Sequence, residues 1–222
     1  MDKLAILALV AGTCMISTTV QAVELVANGS FENPAPDTTW NYSNPDGPYL
    51  TGSFSSWTSN GQSGVWQPSA LMFTSIPDGR QAGWTGSGPF GGGSLTQSFS
   101  QTISVGDTIT MGGEFGDRSN LFLGYGGVTA GTVSLFTSTN VLLLQASVSG
   151  PGTTGTWASF SLSTAPGSLD GYAGQSMRIE LSSANGTQAN YDKISVQVVP
   201  EPTSLMALGL FGLGLLRKRR AQ

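Results

Sequence analysis

The chain has 222 residues, of which 83 are Ser, Thr or Gly and only 10% are charged, well under the roughly 25% of ordinary soluble domains. It contains no His and a single Cys, Cys14, which excludes His-based catalytic triads, most zinc sites and a disulfide framework. The formal net charge of −4 conceals an uneven distribution, because four of the nine cations are the consecutive Arg217, Lys218, Arg219 and Arg220.

In chain order, residues 1–22 begin with Lys3, continue through an apolar run from Leu4 to Ile16 and finish at Val20-Gln21-Ala22. A charged start, a short apolar helix and a small-residue cleavage site predict a secretory signal, with a mature start near Val23. Cys14 leaves with that segment, so the exported product carries no thiol.

Residues 23–199 are predicted as one domain. Asn33 to Asp46 is rich in Pro, Asn, Asp and Thr, and Gly83 to Gly93 holds six glycines; both are expected as long loops. Strands follow from alternation of apolar and polar residues. Ser98 to Ile103, the turn Val105-Gly106-Asp107 and Thr108 to Met111 read as a hairpin. Further strands are expected at Gly131–Thr137, Val141–Val148, Thr156–Leu162, Met177–Ser182 and Tyr191–Val199, separated by Gly150-Pro151-Gly152, Ala165-Pro166-Gly167 and Asn185-Gly186. No stretch of the body carries apolar residues at helical spacing over three turns. Short strands between Gly- and Pro-rich turns imply an all-β sandwich.

The body offers two kinds of candidate site. Trp40, Tyr42 and Tyr49 lie in the loop-like early region, with Trp66 and Trp84 behind them, and exposed rings of this kind suit the C–H faces of sugars; packing under a long loop is the competing reading for each ring. Trp57 and Trp157 alternate with small residues and are expected in the core. The body has eleven acids, but Asp46, Asp78, Glu114, Asp117 and Asp170 sit in turns or strand ends and no spacing picks out a catalytic pair. No catalytic residue is therefore assigned, and the body is expected not to be an enzyme.

At the far end, Val199-Pro200-Glu201-Pro202 precedes an apolar run from Thr203 to Leu216 and then the basic tetrad. Two prolines stop the preceding strand. Fourteen residues of helix span about 21 Å, short of the roughly 30 Å hydrocarbon core. The run is expected to be a short transmembrane helix assisted by snorkelling Arg and local thinning, with the basic end in the cytoplasm.

The order Pro200-Glu201-Pro202, apolar helix, Arg217-Lys218-Arg219-Arg220 resembles the PEP-CTERM sorting signal of Gram-negative bacteria. The resemblance implies recognition at Pro200, Glu201 and Pro202 by exosortase, a membrane processing enzyme, and removal of the helix and basic end. It also implies a cell-surface or matrix protein linked to extracellular polysaccharide and biofilm. The body resembles galactose-binding-like jelly rolls, among them carbohydrate-binding modules. The resemblance rests on Asn28-Gly29-Ser30-Phe31-Glu32, Phe54-Ser55-Ser56-Trp57, Pro77-Asp78-Gly79-Arg80-Gln81-Ala82, the Gln97–Gln101 strand, Trp157 and Tyr191-Asp192-Lys193-Ile194. It implies a structural calcium held by Glu32 and Asp192, hard oxygen ligands that would clamp the first and last strands. Lys193 stands where those jelly rolls carry Asn, and its ammonium offers Asp192 a different counter-charge.

The expectation is thus an exported, non-catalytic surface or matrix protein, with a carbohydrate-binding module as the alternative and a glycan-active hydrolase as a more distant one. Without its two terminal signals the body keeps Arg80, Arg118, Arg178 and Lys193 against eleven acids, a net −7. That surface repels nucleic acid and anionic lipid. Membrane association is accordingly expected only through the C-terminal helix, and only transiently.

Overall fold

The computed structural model describes residues 21–43, 46–86, 91–118, 130–149, 153–183 and 187–200. The signal helix, the apolar helix and the basic tetrad expected from the sequence lie outside them, and among the described residues no helix is long and apolar enough to cross a membrane. Among the described residues there are thirteen strands: β1 Val23–Glu24, β2 Asn41–Ser43, β3 Gly47–Thr51, β4 Thr58–Gly61, β5 Ser63–Trp66, β6 Ala82–Thr85, β7 Gly93–Thr102, β8 Thr108–Asp117, β9 Ala130–Thr137, β10 Leu142–Ser149, β11 Thr156–Ser163, β12 Ser176–Ser183 and β13 Ala189–Val199.

They form two antiparallel sheets. The larger runs β11-β8-β13-β6-β5-β3-β2, with β1 added beside β13; the smaller runs β10-β9-β12-β7-β4. The last strand, β13, is the seam of the larger sheet. It pairs with β8 along most of its length, with β6 at Ala189–Tyr191 and with β1 at Gln197–Val198. A register shift between Asp192 and Ser195, where Lys193 adopts φ 51°, turns the chain without breaking the seam.

The period-2 pattern puts one face of each sheet into a shared core. Leu95 and Phe99 of β7, Val133 and Leu135 of β9, and Met177, Ile179 and Leu181 of β12 face Ile109, Met111 and Phe115 of β8 and Tyr191, Val196 and Val198 of β13. The Tyr191 hydroxyl donates across the sandwich to the Ser182 carbonyl at 2.8 Å, and its ring meets Phe115 edge-on at 5.8 Å. Burial raises the pKa of this phenol far above its ordinary value, so it stays a neutral donor. The first segment closes the core: Phe31 stacks on Trp57 at 5.3 Å, and the Trp57 indole donates to the Asn28 carbonyl.

The expected all-β sandwich is therefore present, with several strands placed to within one or two residues. The expected hairpin is not. β7 and β8 lie in different sheets, and residues 103–107 carry the chain from one layer to the other. Ser104 and Asp107 close that crossing through Asp107 N–H to the Ser104 carbonyl and Ser104 N–H to Asp107 Oδ2. Alternation reports which face a residue takes, not which strand it pairs with. The two expected loops also hold short strands, β2 in the first and the end of β6 in the second.

Candidate functional site

The outer face of the larger sheet carries a second apolar cluster, separate from the sandwich core. Trp66, Met72, Phe73, Ala82 and Trp84 are buried there, and Tyr49, Ile76 and Trp157 pack against them. Register explains the grouping. One row across the sheet reads Trp157, Gly116, Asn190, Trp84 and Gly64; the next reads Tyr49, Trp66 and Ala82. Gly116 leaves the space into which Trp157 and Phe73 fit, since a Cβ there would lie 2.8 Å from the Trp157 ring and 2.9 Å from that of Phe73. Phe73 stacks on Trp157 at 4.6 Å and meets Trp66 edge-on at 6.1 Å. Residues 69–76 lie over the face and are fixed at both ends: Met72 N–H bonds the Ser69 carbonyl, Thr74 donates twice to the Gly155 carbonyl, and the Trp157 indole donates to the Ser75 carbonyl at 2.9 Å. Gly116→Ala is expected to push the two rings apart and cost about 1–3 kcal/mol, read as a lower melting temperature.

Polar groups in this apolar setting are few. Asn190, fully buried at the centre of the first row, donates to the Gly116 carbonyl at 3.3 Å. The indole N–H groups of Trp66 and Trp84 are buried and make no hydrogen bond. Trp66 and Trp84 are diagonal neighbours on paired strands, a relation that spans roughly 7–8 Å. The cluster therefore presents two unpaired donors among aromatic faces.

The five rings expected to face a ligand are thus divided by the structure. Trp66, Trp84 and the half-buried Tyr49 join this cluster. Trp40 is buried in the sandwich core instead, because the turn from Asp37 to Trp40 folds it inward, and Tyr42 stands alone at 73% exposure. Trp57 is in the core as expected, whereas Trp157, on a solvent-side row of an edge strand, belongs to the outer cluster. Phe73, Met72 and Asn190 were not legible as site residues; the only sequence signal is the apolar Leu71-Met72-Phe73 between two Pro-containing turns.

The carboxylates proposed as calcium ligands lie at the side of the same sheet. Glu32 Oε1 accepts N–H bonds from Arg80 and Gln81, and the Gln81 side chain donates back to the Glu32 carbonyl. Asp192 accepts from Asp78 N–H at 2.8 Å and from Lys193 N–H at 2.7 Å. Both residues thereby tie the loop 76–81 to the first segment and to β13. Burial pushes the Asp192 carboxyl up to about 7; the Asp78 and Glu32 charges add to the rise, and the two N–H bonds oppose it. One further observation bears on a cation: Gln81 Oε1 is buried with no partner. Gly79, at φ 70°, lets the Glu32 carboxylate pack against its backbone, where a Cβ would collide with it. Among the described residues no three Asp, Glu, His or Cys side chains gather to hold a metal by themselves. The carboxylates of Glu32 and Asp192 and the Gln81 amide oxygen are hard donors, the type a calcium ion takes. Of the expected sorting residues, Pro200 follows β13 at the surface and the others lie outside the described residues.

A family model described as HpiC1-like, HpiC1 cyclase, matches residues 22–197, and one described as the PEP-CTERM protein-sorting motif matches residues 198–220. No curated protein matches the sequence. Among solved structures, a Stig cyclase, Fisc from Fischerella sp. TAU, in complex with (3Z)-3-(1-methyl-2-pyrrolidinylidene)-3H-indole, superposes with a TM-score of 0.67 at 14% identity, covering 81% of this chain and 99% of that one. A cyclase from the same source in complex with 4-(1H-indol-3-yl)butan-2-one gives 0.65 at 16%, covering 80% and 98%. At these identities the superpositions show the fold. The sorting motif implies processing by exosortase and delivery to the cell surface or extracellular space of a Gram-negative bacterium. The match of a cyclase family to the whole body overturns the expectation that this protein is not an enzyme. That expectation came from looking for a pair of acids at catalytic spacing.

Proposed function

This chain belongs to the HpiC1-like cyclase family, and from that premise we propose that its exported body closes a ring on an apolar, aromatic substrate at the cluster of Tyr49, Trp66, Phe73, Trp84 and Trp157. The observation that carries the assignment is the pair of buried, unpaired indole N–H groups of Trp66 and Trp84. An unsatisfied buried donor costs about 1–3 kcal/mol, a cost that is recovered when a substrate brings an acceptor atom to it. The indole ligands held by the Fischerella cyclases support an indole-class substrate.

The chemistry follows from the surroundings. Closing a ring within one flexible molecule is opposed by the entropy of folding it, and a site that holds it folded removes that barrier in advance. The bond-forming carbon is electron-poor, and the faces of Trp66, Phe73, Trp84 and Trp157 stabilise its positive charge without adding to it as water would. The product is an isomer of the substrate.

Binding tests the assignment. With 4-(1H-indol-3-yl)butan-2-one as probe, whose ketone oxygen is an acceptor, the protein should show a saturable change in tryptophan fluorescence. A Trp66→Phe, Trp84→Phe double variant should weaken it at least tenfold, about 1.4 kcal/mol. Absence of any saturable change in the parent protein contradicts the reading.

We propose two supporting features. Glu32 and Asp192, completed by Gln81 Oε1, hold a structural Ca²⁺ that ties the first segment to β13. Saturating calcium should then stabilise the protein by about 2–3 kcal/mol, a rise of roughly 5–10 °C in melting temperature for a body of this size. Chelator, Glu32→Gln or Asp192→Asn should each remove that rise. The C-terminal apolar run holds the precursor in the membrane until exosortase cuts near Pro200-Glu201-Pro202, so the secreted protein should lack Arg217–Arg220 by mass mapping, and an intact terminus would contradict processing.

A further inference from the structure

Strand β13 ends at Val199, Pro200 follows it at the surface, and the apolar run begins at Thr203, at most about 11 Å of chain further on. Pairing shows what surrounds that exit. Val199 lies beside Thr108, so the crossing 103–107 is next to it, and Val198 lies beside Val23. The crossing is bonded to residues 170–175: Ile103 N–H to the Gln175 carbonyl, Gly174 N–H to the Ile103 carbonyl and Gly106 N–H to Asp170 Oδ1. Those residues meet the turn between β9 and β10, where Ser138 N–H bonds the Ser176 carbonyl and Thr139 donates to Gln175. These segments make up one end of the sandwich. Of the six exposed large apolar side chains among the described residues, four stand at this end: Val23, Val105 at 71% exposure, Val141, and Leu142 at 47%. Single exposed apolar residues are ordinary; their gathering at the end from which the chain leaves is not. The segments 23–25, 103–107, 137–142, 164–176 and 198–200 contain no basic residue. Their acids, Glu24, Asp107 and Asp170, each accept a backbone N–H, and Arg178, on the row of Leu142, pairs with Glu180 at 3.7 Å.

We infer that this end of the body rests on the surface of a zwitterionic bilayer while the C-terminal run anchors the precursor, with Val105, Val141 and Leu142 set into the lipid boundary. The inference rests on the anchor reading of that run and adds a second contact to it, where the sequence alone gave lipid only the run. Each of these side chains buries little area, but so short a tether keeps the end at the bilayer and makes weak contacts persistent. With no cation to recruit anionic headgroups, burial of apolar surface is the driving force. The aromatic cluster is held off the lipid. Gly116 lies eight residues along β8 from Thr108, about 27 Å at roughly 3.4 Å per residue. Substrate therefore reaches the cluster from water even before the chain is cut.

The test reconstitutes the full chain, with Cys14→Ser, into phosphatidylcholine vesicles and places one environment-sensitive label at Val105→Cys or at Thr154→Cys. Thr154 is exposed at the far end of β8, beside Gly155, whose N–H bonds the Asp117 carbonyl. A doxyl group at carbon 5 of the lipid chain samples the headgroup boundary, roughly 5–10 Å deep, and should cut emission at position 105 about threefold while leaving position 154 unchanged. The Val141→Asp, Leu142→Asp pair should restore most of the emission at 105, and added phosphatidylglycerol should not strengthen the quenching. The contrast between the two labels uses exposed positions and stands whether or not the Asp pair folds, which its melting temperature reports. Equal quenching at both positions, none at 105, quenching that grows with phosphatidylglycerol, or quenching that survives in a folded Asp pair would each overturn the inference. So would a blue shift at 105 that doxyl lipid leaves untouched, the mark of a second copy covering this end. Vesicles that float without the chain remove the anchor and the inference together; a chain that floats with an unquenched label at 105 removes the inference alone.

Discussion

Replacing Trp57 by Ala should cost the fold about 3–5 kcal/mol, a large part of the 5–15 kcal/mol by which domains are stable at all. Trp57 is 1% exposed, stacks on Phe31, and sends its indole N–H to the Asn28 carbonyl. Its backbone and that of Phe54 exchange hydrogen bonds in both directions. Truncation removes the ring, leaves a cavity beneath the first segment and leaves the Asn28 carbonyl with only the Phe31 N–H as donor. Trp57→Phe keeps most of the stacking and loses the hydrogen bond, so it should cost clearly less. Urea unfolding separates the two, because a shifted midpoint at constant slope reports stability alone. A Trp57→Ala loss below about 1 kcal/mol would contradict the placement of this ring at the centre of the core.

Trp66→Phe and Trp84→Phe should behave in the opposite sense, with little effect on stability and a large one on turnover. Each removes a buried donor that bonds nothing in the free protein. The ring volume lost and the unsatisfied group removed offset one another, so the folded state should move by no more than about 1–2 kcal/mol. Turnover should fall about tenfold to a hundredfold per substitution, the equivalent of 1.4–2.7 kcal/mol of lost transition-state stabilisation. A substitution that destabilised the protein and left turnover unchanged would make these indoles structural.

What the sequence made legible, and what it hid, follows from what alternation encodes. Strands such as Thr156–Leu162 and Met177–Ser182 were placed nearly where β11 and β12 lie, because one buried face leaves a period-2 imprint. Pairing leaves none: β7 and β8 look like a hairpin in sequence yet belong to different sheets, and the five residues between them give no sign of the layer change. The aromatic cluster was half visible. Trp66 and Trp84 were singled out as rings, but their company comes from four strands and from residues 69–76, brought together by register alone. Gly116 is silent in sequence and decisive in space. Trp40 misled because a Pro- and Asn-rich context reads as surface, whereas the turn at Asp37 folds its ring into the core. Glu32 and Asp192, separated by most of the chain, were linked through the jelly-roll resemblance, and in the structure both bond the backbone of the loop 76–81. The catalytic class was missed because the search assumed carboxylates as its agents.

The most direct test of the central claim is incubation of the protein with an indole bearing an unsaturated side chain, followed by chromatography with mass detection. The account predicts a product of unchanged mass and altered retention, formed in proportion to enzyme and strongly reduced in the Trp66→Phe, Trp84→Phe variant. Conversion that is absent from the parent across such substrates, or undiminished in that variant, would contradict it.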